Sequence, residues 1–130
     1  GMGPAVDTTP QDAPALDGHT LDALTGGDPA EARLLLEDFL ASTRQDLAEL
    51  DDALAAGDAA GLARQAHKVK GAARLVGATA LADAAAALEA AVRSDDGAPG
   101  GPVDDGRNEA LAARLHVAAR QLERHAASLR

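Results

Sequence analysis

The stretch Leu62-Ala63-Arg64-Gln65-Ala66-His67-Lys68-Val69-Lys70-Gly71-Ala72-Ala73-Arg74-Leu75-Val76-Gly77 decides how this chain folds. Its apolar residues Leu62, Ala66, Val69, Ala73 and Val76 recur at alternating spacings of four and three, which is one stripe of an amphipathic helix. At roughly 100° per residue, His67 lies about 140° from the centre of that stripe and faces solvent. Arg64, Lys70, Gly71 and Arg74 fall on the same outer face, and Lys70, Gly71 and Arg74, at i+3, i+4 and i+7, are the neighbours of the imidazole.

The composition of this face is unusual for the chain. Lys68 and Lys70 are its only lysines among twelve lysines and arginines, and both stand within three residues of His67. A lysine offers a phosphate a compact, mobile point charge, whereas arginine offers a planar fork. No acidic residue occurs between Asp58 and Asp83, although the formal net charge is -9, so the sequence predicts a positive local field around His67. Gly71 stands in mid-helix, where glycine costs about 1 kcal/mol relative to alanine. The chain uses alanine almost everywhere else for small helical residues, so the bare position leaves room for another protein to approach the imidazole.

Outward from this stretch the pattern is helical throughout. Asp28-Pro29 opens a long helix with the stripe Leu36, Leu40, Thr43, Leu47, Leu50 and Leu54, closed by Gly57. Asp58 caps the histidine helix and Gly77 ends it. Thr79 is the expected cap of a helix carrying Leu81, Ala85, Leu88 and Val92, and Asn108 begins the last, with Leu111, Leu115, Ala118, Leu122 and Leu129 inward. A short helix is expected around His19 to Thr25. The fold class is therefore all-α, an antiparallel up-down four-helix bundle with a short additional N-terminal helix, over residues 16–130. Residues 1–15 read as a flexible tail or linker and 94–106 as a mobile loop.

Composition excludes several functions. Phe39, expected in the core, is the one aromatic residue, so the core is alanine and leucine, which favours close-packed helices. The absence of cysteine removes thiolate chemistry and cysteine metal sites. No apolar run is long enough to span a membrane, no export signal is visible, and acidic charge with scattered arginines argues against nucleic acid. The expected location is cytoplasmic. His19, His116 and His125 read as surface histidines, since the last two are nine apart and cannot form an i, i+4 metal pair; no metal site is expected. No nucleotide-binding loop is present. Neutral imidazole is a competent nucleophile toward phosphorus at neutral pH.

Ala66-His67-x-x-Lys70-Gly71, followed by Gly77 ten residues past the histidine, resembles the histidine phosphotransfer (HPt) domain of multistep two-component phosphorelays. Gly26-Gly27-Asp28-Pro29, Ala53-Leu54-Ala55-Ala56-Gly57-Asp58 and Gly71-Ala72-Ala73-Arg74-Leu75-Val76-Gly77-Ala78 are also similar to that family. The likeness runs from about residue 16 to the end and is strongest over 66–78. Val69 stands where leucine is frequent, and the 94–106 loop is longer than usual. The resemblance implies that His67 accepts a phosphoryl group from a receiver-domain aspartate and gives it to another receiver. It further implies that Lys70 steadies the phosphoryl charge, that Gly71 leaves room for docking and that Gly77 fixes the turn. Arg64, Lys68 and Arg74 are further docking candidates. The implied partners are response-regulator receiver domains or a hybrid sensor histidine kinase. The protein itself is expected to be monomeric, to have no kinase or ATPase activity and to need no cofactor, with magnesium supplied by the receiver. Two alternatives stand beside this: the histidine-bearing domain of a chemotaxis-type kinase, and a non-catalytic helical adaptor.

Overall fold

Three aspartates start helices in this chain and three glycines end them. Asp17, Asp28 and Asp58 each accept a hydrogen bond from a backbone N–H of the first turn, that of His19 (3.0 Å), Ala30 (2.9 Å) and Gly61 (2.9 Å). Gly26, Gly57 and Gly77 take the left-handed conformation just past the helix ends. The computed structural model describes residues 15–96 and 105–129. In chain order the helices are α1 (Gly18–Thr25), α2 (Pro29–Ala56), α3 (Ala59–Val76), α4 (Thr79–Asp96) and α5 (Asp105–Ser128).

The turns between α2 and α3 and between α3 and α4 are two residues each, too short for anything but antiparallel neighbours. α2, α3, α4 and α5 pack in a ring, each against its sequence neighbours, with α2 closing on α5; α1 lies on α2 and α3. The result is the expected all-helical bundle with an extra N-terminal helix. Leu36, Leu50, Leu81, Leu88, Leu115, Leu122, Val69 and Val92 are fully buried, each leucine contributing about 1.5–3 kcal/mol of apolar burial. Ala66, Ala73 and Ala85 have no exposed surface, and their small side chains let α3 and α4 approach closely. Phe39 is in the core.

Three boundaries differ from the sequence reading. Thr79 is the first residue of α4 rather than its cap: its hydroxyl donates to the Gly77 carbonyl (3.2 Å) instead of accepting from the first turn. α4 continues through Ser94 to Asp96, and α5 starts at Asp105, three residues before Asn108. The ends of the expected 94–106 loop are thus helical. Residues 97–104, and residues 1–14 of the expected tail, lie outside the described residues.

Candidate functional site

His67 sits near the middle of α3, and both ends of that helix are fixed. At the start, a Cβ on Gly61 would fall on the Asp58 carboxylate, so a side chain there would displace the capping group. At the end, Gly77 has φ +78°, and a Cβ would lie 2.8 Å from Thr20 Cβ and 3.0 Å from the Asp17 carbonyl oxygen of α1's entry. The Asp17 N–H donates to the Gly77 carbonyl at 2.6 Å, tying α1 to this turn. The apolar stripe Leu62, Ala66, Val69, Ala73 and Val76 is buried, which turns His67 outward with 64 % of its side chain exposed.

The expected positive surroundings of His67 also hold one buried carboxylate, which the sequence reading did not anticipate. Glu89 of α4, only 10 % exposed in its side chain, meets three basic groups. Its Oε1 accepts from Lys70 Nζ at 2.6 Å, and its Oε2 lies 3.0 Å from His67 Nδ1 and 2.9 Å from Arg93 Nε. Burial alone would push this carboxyl up; hydrogen bonds from Lys70, Arg93 and His67 outweigh it and hold the group at about 2. An ionised carboxylate has only acceptors, so Nδ1 carries the ring proton and donates to Glu89. In the neutral ring the lone pair is then on Nε2, at the far edge.

Sequence proximity could not find Glu89, which is 22 residues from His67 and on another helix. One signal was available: Glu89 is the single charge between Asp83 and Arg93, in an otherwise apolar run, with Arg93 one turn on.

The remaining candidates divide. Gly71 is exposed, and a Cβ there would meet nothing within 4 Å. Arg74 is exposed on the same face, as is Leu75, two turns beyond His67 on the i, i+4 row through Gly71. Leu75 is 74 % exposed, the barest large apolar side chain among the described residues, and the sequence reading did not single it out. Lys68 is drawn to the opposite flank, where its Nζ pairs with the buried Asp46 of α2 at 3.1 Å; that hydrogen bond holds its ammonium above the usual range. Arg64 borders a groove of about 320 Å³ between α2 and α3, beside Glu49 and Asp52. His116 pairs with Asp51 at 3.0 Å, and His19 and His125 are exposed.

A mid-helix histidine on an open bundle face, held by a buried carboxylate and flanked by a lysine and a bare glycine, is now in view. The family model for the Hpt domain matches residues 34–129, well over half of the sequence. The chain belongs to the Hpt domain family. The crystal structure of histidine-containing phosphotransfer protein B (HptB) from Pseudomonas aeruginosa PAO1 is similar to it, with a TM-score of 0.70 and 28% identity, covering 92% of this chain and 100% of that one. No curated protein sequence matches. Among the described residues of this Hpt domain, no helix is long and apolar enough to cross a membrane.

Proposed function

We propose that this Hpt domain is a phosphorelay intermediate in which His67 takes a phosphoryl group from a receiver-domain aspartate and passes it to another receiver. One observation carries the reading: Nδ1 of the exposed imidazole lies 3.0 Å from the buried Glu89 carboxylate, an arrangement that in the neutral ring places the proton on Nδ1 and leaves Nε2 as the nucleophilic nitrogen. In the transfer, the Nε2 lone pair forms the N–P bond while the P–O bond to the receiver's aspartyl oxygen breaks, and that electron pair leaves with the carboxylate. The Nδ1 proton stays on the ring, which becomes cationic, and Glu89 faces that charge. Phosphoryl transfer of this kind is governed by positioning and charge neutralisation.

Lys70, one turn from His67, supplies a mobile cation for the phosphoryl oxygens. Magnesium and the acidic pocket that binds it come with the receiver. The exposed row His67, Gly71 and Leu75, with Arg74 beside it, is the docking face: glycine permits close approach, leucine gives apolar contact, and arginine complements an acidic partner. The domain works as a monomer in the cytoplasm.

The test is incubation with phosphorylated receiver domains. Wild-type protein is expected to gain an acid-labile, alkali-stable phosphate, and His67→Gln to gain none while folding normally. With ATP and magnesium alone it stays unlabelled. Equal labelling of His67→Gln would move the site elsewhere, and labelling by ATP alone would favour a kinase reading.

A further inference from the structure

Resting on that phosphotransfer reading, we infer that Arg93 is a positioning residue that keeps Glu89 fixed on His67 Nδ1 when Lys70 leaves Glu89 for the transferred phosphoryl group. The bare reading of Arg93 is an exposed i, i+4 ion pair, 58 % exposed and worth little. Its partner is what sets it apart. Glu89 is buried, and two permanent cations converge on it where one would neutralise it. The two are not equivalent. Lys70 holds Oε1, the oxygen remote from the ring, whereas Arg93 holds Oε2, the oxygen that His67 itself uses.

This division matches the charges of the two states. At rest, Lys70 and Arg93 on one carboxylate leave a formal charge of plus one around a neutral ring. After transfer the ring carries plus one and the phosphoryl group about minus two, so the assembly becomes neutral only if Arg93 is still there. Lys70, on a flexible four-carbon stem one turn from His67, can follow the phosphoryl group. Arg93 leaves from α4, one turn beyond Glu89 on the same helix, and moves with the carboxylate it binds. Without Arg93, departure of Lys70 would leave a buried carboxylate with no permanent cation, free to turn away from Nδ1 as the ring becomes positive.

Removing Lys70 by mutation imitates its departure. Long-range ¹H–¹⁵N spectra of His67 in the full, unphosphorylated chain report which ring nitrogen is protonated. The Nδ1–H form is expected to persist in Lys70→Met and in Arg93→Met, where one cation remains. In the double variant it should give way to a mixture with the Nε2–H form. Phosphate acceptance from phosphoramidate should slow about fivefold in Arg93→Met, the scale of one exposed charge pair, and recover in Arg93→Lys, which retains a cation within reach of Glu89. The inference is overturned if Lys70→Met alone loses the Nδ1–H form, if the double variant keeps it, or if Arg93→Met accepts phosphate at the wild-type rate. If wild-type His67 accepts no phosphate from any donor, the phosphotransfer reading fails, while the tautomer spectra still decide whether Arg93 holds Glu89.

Discussion

At the scale of single residues, the site is a histidine whose two ring nitrogens have been given different work by one carboxylate. Because Glu89 is held near 2 against an ordinary 4.5, the unfolded chain binds its proton more readily than the fold does. Its stabilising contribution is complete above about pH 4.5 and is lost as pH falls toward 2. Glu89→Gln is therefore expected to destabilise the domain at pH 7 by about 1–3 kcal/mol, with the gap to wild type closing on acidification. Urea unfolding at successive pH values measures this; a constant gap would show that the charge on Glu89 does not stabilise the fold. At Gly71 stability and transfer separate. Gly71→Ala has open space for its methyl and a helical backbone, so it should stabilise by up to about 1 kcal/mol. Gly71→Leu should cost little stability yet slow transfer from a receiver far more than from phosphoramidate, and equal rates from both donors would refute close docking over this position. His67, Lys70 and Gly71 were legible in the sequence because they share one helical face. Glu89 and Asp46 were not, because their meeting with α3 is made by the packing of other helices.

At the scale of helices, the ends were more legible than the contents. Aspartate before and glycine after are local signals, needing no knowledge of the neighbours, and they located α2 and α3 without error. Thr79 failed as a cap because the turn from Gly77 gave its hydroxyl a carbonyl to donate to. Asp105 and Gly106 read as loop because aspartate and glycine there carry turn preferences that the packed helix overrides. Gly77 is where an end becomes a joint: the same residue closes α3, accepts from Asp17 and lies against Thr20. Gly77→Ala, forced to positive φ and pressed on α1, should cost about 1–3 kcal/mol. It should also raise amide exchange in α1 above that in α4, and uniform exchange across the bundle would contradict a joint at Gly77.

At the scale of the whole molecule, the bundle achieves its core with alanine rather than aromatic bulk, and this sets its tolerance to change. Ala85 has no exposed surface and lies one turn before Glu89 on α4, the residue whose carboxylate meets α3. Ala85→Leu should push these helices apart and destabilise by about 1–3 kcal/mol. It should also weaken the Glu89 contact with His67, since that contact spans the same pair. Thermal unfolding together with His67 ¹⁵N shifts would check both, and a neutral substitution would mean that the interface holds unfilled space.

His67 has most of its side chain open to water. The grooves of about 320 and 270 Å³ elsewhere on the bundle do not include it. On the proposed reading, a phosphoryl group stored there would be in contact with the solvent that can hydrolyse it, so the signal it carries would have a lifetime. Delivery becomes a race between the next receiver's arrival and water, and the molecule's usefulness depends on how much receiver surrounds it as well as on the chemistry of its site. The same exposure leaves a small inhibitor little to grip at the imidazole, so interruption of the message calls for something the size of a receiver, laid across the whole face.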